Sequence, residues 1–200
     1  MQIDTLEQHY LIPEHLKGLQ KDLAYTVTLE SGEDADDWFV ESMDRLLKIN
    51  DWNKLSTSIS LLFSLTDHHG KNVSRRAHRG DYIKITPKGN THNEAHWIHV
   101  EAIEYDDYPD TDRETIAIHL QPSIGPFQKN GHSNNLNDIE SSGTFVIERQ
   151  AKRLSASYHS RNDISDTNAT DNNHEILASI ISWFSVTDPQ WEDLLKDTLE

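Results

Sequence analysis

Apolar residues recur in this chain with two different spacings, and between Gly80 and Ser160 the spacing is two. Apolar and polar residues alternate there in five segments, a pattern typical of strands with one buried face. The predicted strands are Asp81 to Thr86, His96 to Tyr105, Glu114 to Gln121, Gly143 to Arg149 and Arg153 to Ser160. Turn residues separate them, so we expect a five-stranded antiparallel meander or a small barrel.

Residues 1–66 are predicted to be mainly helical. One helix is expected to begin at Pro13, which suits a first helical position, and a second to cover about residues 36–49. The apolar stripe changes phase at Asn50-Asp51, so a third helix should follow and form an antiparallel hairpin with the second. The alternation from Tyr25 to Leu29 favours a short strand, with an extended first helix as the alternative.

The C-terminal part, residues 172–200, is predicted to be helical again. One helix carries the apolar residues between Ile176 and Phe184, and a last helix begins at Thr187-Asp188-Pro189. Two polar tracts without periodicity, near residues 125–143 and 161–173, are expected to be loosely ordered.

The order of the predicted elements is helices, then strands, then helices, which indicates the α+β class rather than an alternating parallel fold. We therefore expect a single domain over residues 1–200. Its N-terminal helical hairpin and C-terminal helices would pack on a sheet formed by residues 78–160.

Composition limits the possible functions. The chain has 34 acidic and 18 basic residues, a formal charge of -16 and no cysteine, so thiol catalysis, cysteine-based zinc sites and disulfides are excluded. The acidic balance repels phosphate backbones, which makes a nucleic-acid partner unexpected. No apolar segment has the length of a signal peptide or membrane helix, so we expect a soluble cytoplasmic protein without membrane contact.

One basic segment stands out against this acidic background. Between Lys71 and Lys88 there are six lysines and arginines but only one acid, Asp81. Such segregated charge favours docking to an acidic protein or to another copy of the chain. The predicted docking residues are Arg75, Arg76, Arg79 and Lys84. The alternative is that these arginines pair internally with acids of the same chain.

Histidines supply the second candidate site. The segment HNEAHWIHV has two histidines four apart, but its glutamate does not follow the first histidine as in a zincin motif. The alternation instead places His99, His119 and His159 on one sheet face, where three imidazoles could hold a divalent metal. Glu101 or Glu94 would then be the base of a metal-dependent hydrolase. An ordinary hydrated sheet face explains the same pattern.

The sequence contains no G-x-S-x-G elbow, Walker glycine loop or dinucleotide fingerprint. The leading hypothesis is a non-catalytic protein-binding or assembly module that requires no cofactor. The first alternative is the hydrolase on His99, His119 and His159. The second is an acidic inhibitor that mimics nucleic acid through the carboxylates of residues 101–114.

Overall fold

The computed structural model describes residues 11–16, 18–55, 59–89, 95–126, 141–163 and 186–200. In these ranges one antiparallel sheet contains seven strands: Leu19–Thr28 (β1), Leu61–Thr66 (β2), Tyr82–Pro87 (β3), His96–Tyr108 (β4), Arg113–Ser123 (β5), Ser142–Gln150 (β6) and Arg153–Asp163 (β7). The α-helices of the same ranges are Gly32–Leu47 (α1), Trp52–Leu55 (α2) and Asp188–Leu199 (α3). Short 3-10 turns cover Ile49–Asp51 and Pro109–Thr111.

The strand order is β1-β7-β6-β5-β4-β3-β2, so β2 to β7 form a meander and β1 pairs with the last strand. The predicted five-stranded meander with an N-terminal helical hairpin is therefore wrong. Two strands come from the region that was predicted to be mainly helical, and α2 is only one turn long. In β2, Leu61, Phe63 and Leu65 are all buried, at a spacing of two residues. The apolar run to which they belong is also compatible with a helix, so its spacing alone does not identify a strand.

Two of the predicted helices, the one at about residues 36–49 and the one that begins at Thr187-Asp188-Pro189, are present. In α1 the hydroxyl of Ser31 accepts a hydrogen bond from the Asp34 N–H, so the helix begins before the predicted residue 36. In α3, Thr187 and Gln190 form a capping box and Pro189 occupies the first turn. The helix predicted between Ile176 and Phe184 lies outside the described residues, as does most of the two polar tracts.

The main core lies between one face of the sheet, here called the inner face, and the helices α1, α2 and α3. Its centre is aromatic: the Trp191 ring lies 5.4 Å from Phe145 and 4.9 Å from Tyr158, and Trp52 lies 5.3 Å from Phe145. These rings bury large apolar areas, which is the main driving force for this packing.

The opposite, outer face carries a smaller apolar cluster of Leu11, Ala117 and Val146, all buried. The backbone there is held by Asn162, whose side-chain oxygen accepts from the Leu16 N–H at 2.7 Å. The N-terminal segment 11–16 thus covers part of the outer face instead of forming the helix predicted at Pro13.

Side chains of the α1–β2 connection bind the backbone of β2 along the edge of the sheet that pairs with no strand among the described residues. Asn53 accepts from the Phe63 N–H at 2.8 Å and donates to the Phe63 carbonyl at 2.7 Å. Asn50 accepts from the Leu65 N–H at 2.9 Å and donates to the Val73 carbonyl at 2.8 Å. The two amides thereby replace the hydrogen bonds that another strand would make.

Replacing Asn53 by alanine should lower the free energy of unfolding by about 1–3 kcal/mol, because two backbone groups of Phe63 lose their partner. Chemical denaturation of N53A measures this change. Asn72→Ala, at an exposed asparagine, is the matched control. Equal stability of the two variants would show that the edge amide contributes nothing.

Candidate functional site

Arg75, the first of the predicted docking residues, is bound within its own chain. Its guanidinium donates two hydrogen bonds to Asp81, at 2.6 Å and 2.9 Å. The hydrogen bond with this carboxylate raises the pKa of Arg75 above its ordinary value. Asp81 is only 3% exposed and also accepts from the His78 N–H at 2.8 Å. Arg75 therefore neutralises a buried carboxylate and shapes the turn before β3.

Arg76 is also paired: its Nε donates to Asp44 of α1 at 2.6 Å. Lys48 binds the second oxygen of Asp44, and the hydrogen bonds from Lys48 and Arg76 lower the pKa of that carboxyl. Two of the four predicted docking cations thus take part in internal ion pairs, the alternative that the sequence left open.

The other two, Arg79 and Lys84, face solvent to different degrees: Arg79 is exposed and Lys84 is half-buried. Lys84 lies opposite Trp97 in the β3–β4 register and points to the outer face. Within the described ranges, neither cation makes an ion pair with a carboxylate. Docking through Arg79 and Lys84 stays a prediction.

Aromatic side chains surround Lys84 on the outer face. Tyr82 lies opposite His99, with ring centroids 4.7 Å apart, and meets the Trp97 ring edge-on at 6.4 Å. We call Tyr82, Lys84, Trp97 and His99 the β3–β4 surface. Gly125 lies against the Trp97 ring so closely that a Cβ there would be 2.9 Å from it, so a larger residue would push the indole away.

The three predicted metal ligands share the outer face, but each has its own contacts. His99 lies 2.6 Å from Glu101 through Nδ1. His119 and His159 lie on either side of Thr144 in one cross-strand row, and His119 Nδ1 is 3.2 Å from the Thr144 hydroxyl. Burial lowers the pKa of His119 below its ordinary value.

In the described part of the chain, no three histidine or carboxylate side chains are close enough together to hold one metal ion. Glu94, one of the two bases considered for the hydrolase, lies outside the described residues. The described residues thus give no support to the metal site on His99, His119 and His159, which stays a prediction.

His159 makes the most specific polar contacts of the three histidines. Its Nδ1 lies 2.6 Å from the Asp22 carboxylate and its Nε2 lies 3.0 Å from the Ser157 hydroxyl. Asp22 also accepts from Arg161 at 2.6 Å. Neither Ser157 nor Asp22 is predicted as a site residue from the sequence. The Ser-x-His spacing on one strand was a visible signal for Ser157, whereas Asp22 becomes a neighbour only through the β1–β7 pairing.

The carboxylates of residues 101–114 are divided between the two sheet faces. Glu104 lies opposite Ala117 on the outer face, whereas Glu114 accepts from Arg149 at 2.9 Å on the inner side. Arg149 also binds Asp36 of α1 and Asp112. This distribution does not provide the continuous acidic face that a nucleic-acid mimic requires.

The main core leaves little room for a ligand near its aromatic centre. The cavity between Trp52, Phe145 and Leu194 has a volume of about 10 Å³. Pockets that bind small molecules usually have roughly 300–1,000 Å³. This part of the core is therefore packed by its own side chains.

No protein-family model matches the chain, and no curated protein matches it. Solved structures similar to it include the ginseng major latex-like protein 151 from Panax ginseng, with 11% identity and a TM-score of 0.33, covering 88% of this chain and 99% of that protein. Truncated norcoclaurine synthase from Thalictrum flavum has 10% identity and a TM-score of 0.33, covering 87% and 98%. The Aha1 dimer from Colwellia psychrerythraea has 12% identity and a TM-score of 0.34, covering 85% and 96%.

At these TM-scores the three similarities support no inference about a ligand, an activity or an assembly of this chain. Its function has to be argued from its own residues. Among the residues that the structure describes, no helix has the length and apolar character needed to cross a bilayer.

Proposed function

We propose that this chain is a protein-binding or assembly module that docks an acidic protein surface through Arg79 and the β3–β4 surface. The observation that carries the proposal is the position of Lys84. It lies beside Tyr82 and Trp97 on an outer sheet face, without a carboxylate partner among the described residues. Tryptophan, tyrosine and arginine dominate the energetics of protein interfaces.

The charge distribution supports the same function. The whole chain has a formal charge of -16, so a local group of free cations is surrounded by a field of opposite sign. An acidic partner would be guided to this surface and repelled elsewhere, which fixes the orientation of docking. A second copy of the chain supplies such acidic surface, and self-association is therefore one form of the proposed assembly.

The part of the core beside Trp52 and Phe145 does not have room for a small apolar molecule. A carrier needs an internal volume of several hundred Å³, and the cavity beside Trp52 and Phe145 has about 10 Å³. The outer face, by contrast, offers polar and aromatic groups directly to a macromolecule.

The test reverses the two free cations and leaves the internal pairs of Arg75 and Arg76 intact. We expect R79E/K84E to reduce binding of partner protein from a host lysate, or self-association in sedimentation velocity, by at least roughly 10-fold at low salt. Like-charge contact at an interface costs several kcal/mol. The measurement is quantitative capture on immobilised protein, together with the sedimentation profile.

The control is K152E/R153E, which makes the same change of net charge at two exposed residues where β7 begins and, among the described residues, removes only the hydrogen bond from Lys152 to the Glu30 carbonyl. The control should behave like the wild type in both measurements. Equal binding and equal sedimentation of the wild type and both variants would refute docking through Arg79 and Lys84.

A further inference from the structure

We propose that Ser157, His159 and Asp22 form a nucleophilic site that transfers an acyl group from an activated ester to the Ser157 hydroxyl and then to water. The three side chains are linked in the order hydroxyl, imidazole, carboxylate. Ser157 Oγ lies 3.0 Å from His159 Nε2, and His159 Nδ1 lies 2.6 Å from Asp22 Oδ1. A nucleophile within reach of a base that a third group orients is the geometric signature of covalent catalysis.

The pairing of β1 with β7 produces this geometry. Ser157 and His159 are two residues apart on β7, so both side chains point to the outer face. Asp22 lies directly opposite His159 in the β1–β7 register. Because the three side chains lie on the paired strands β1 and β7, backbone hydrogen bonds between these strands fix their relative positions.

The carboxylate fixes the tautomer of the imidazole. An ionised Asp22 only accepts hydrogen bonds, so the proton of neutral His159 lies on Nδ1, and Nε2 is left to accept the Ser157 proton. Arg161 donates to Asp22 at 2.6 Å. Although burial opposes it, this contact and that of His159 lower the pKa of Asp22 and keep the carboxylate ionised.

The imidazole of His159 is partly buried and has both charged and uncharged neighbours. Burial lowers the pKa of His159, while the hydrogen bond and charge of Asp22 act in the opposite direction. The charged groups that face His159 are Asp22 on β1 and Arg161 on β7. On the β6 side, His159 faces the uncharged Thr144, and His119 lies on the far side of Thr144. Within the described residues, Nε2 of His159 lies beside the Ser157 hydroxyl and is the nitrogen positioned to accept its proton.

The neighbourhood of Ser157 indicates the size of the substrate. Ser157 lies opposite Val146, which lies opposite Ala117, and Leu11 covers both of these apolar side chains. Because Leu11 already packs on this cluster, a long acyl chain would have to displace it, whereas a short one would not reach it. We therefore assign small acyl esters with a good leaving group as the substrate class.

The proposed reaction has two steps. Ser157 Oγ forms a bond to the acyl carbon while its proton moves to His159 Nε2, and the bond from the acyl carbon to the leaving alcohol breaks as that alcohol takes up the proton. Water then attacks the acyl-serine and gives up a proton to His159. The bond to Oγ breaks, Ser157 regains its proton and the carboxylic acid leaves. No oxidant, reductant or metal takes part.

The experiment uses the full-length chain and an alkyl fluorophosphonate probe, which phosphonylates an activated serine with loss of fluoride. Intact-mass analysis should show one adduct, and peptide mapping should place it on Ser157. The adduct should disappear in S157A and form at least roughly 100-fold more slowly in H159Q, the usual contribution of a general base. Thermal unfolding of each variant reports whether it is folded.

Ser155→Ala is the matched control, because Ser155 lies on the same strand and face but its hydroxyl contacts the Glu148 carbonyl. S155A should be labelled like the wild type. An unlabelled wild type, an adduct on another residue, or equal labelling of S157A would overturn the proposal.

Asp22 acts through His159, so its variant needs a measurement that a merely structural role would not change. In folded D22N the labelling rate should fall, whereas D22E, which keeps a carboxylate on the residue opposite His159, should restore most of it. Equal labelling of folded D22N and the wild type, or no recovery in folded D22E, would refute the positioning role. Activity of this kind departs from the expectation of a non-catalytic chain and does not depend on the docking surface.

Discussion

Replacement of Trp191 by alanine is expected to lower the free energy of unfolding by about 3–5 kcal/mol, the usual cost of removing a fully buried aromatic side chain. The Trp191 side chain is completely buried and contacts Phe145 and Tyr158. Its loss would detach α3 from the aromatic centre of the core. Chemical denaturation of W191A, followed by circular dichroism, measures the effect.

Glu192→Ala is the control for this experiment, because it places alanine at the next position of α3, where the side chain is exposed. E192A should stay within about 0.5 kcal/mol of the wild type, as is usual for surface substitutions. Equal stability of W191A and E192A would contradict the burial of Trp191 between α3 and the inner face.

Substitution of Arg75 by methionine should destabilise the fold by about 2–4 kcal/mol. The change leaves the buried Asp81 carboxylate without its guanidinium partner, and the loss of one member of a buried ion pair is strongly unfavourable. The value lies below the full cost of a buried pair because the Arg75 side chain is 35% exposed. Denaturant unfolding of R75M measures this change in the free energy of unfolding.

Arg79→Met removes the same charge from the same segment without breaking an ion pair among the described residues, and it should be nearly neutral. The double variant R75M/D81N should recover part of the lost stability, because it leaves no charge buried. Stability of R75M equal to that of R79M would show that Arg75 is a surface charge and would restore it to the predicted docking residues.

The strands of the central region could be predicted because their alternation is regular and their turns are distinct. The conformation of residues 61–66 could not, because Leu61, Phe63 and Leu65 belong to an apolar run whose spacing also fits a helix. In β1, only the half from Tyr25 showed a clear alternation. Its pairing with β7 joins segments more than a hundred residues apart and has no local signal.

For the candidate sites, the sequence predicts only the sheet face on which each side chain lies. His119 and His159 share the outer face because each alternates with buried apolar neighbours on its strand. Between Val100 and Ala102 the register shifts by one residue, so the alternation of β4 changes phase at Glu101. Contacts between distant residues, such as those of Arg76 with Asp44 and His159 with Asp22, depend on the tertiary fold.

The pairing of β1 with β7 also determines when the sheet can be completed during synthesis. Leu19–Thr28 leaves the ribosome before its partner Arg153–Asp163, which follows after more than a hundred further residues. Until then the inward-facing side chains Leu23 and Val27 cannot be buried against β7, and closing so long a loop slows folding. The nascent chain therefore carries β1 without this partner during most of its synthesis, and the Ser157–His159–Asp22 contacts form only after β7 has emerged.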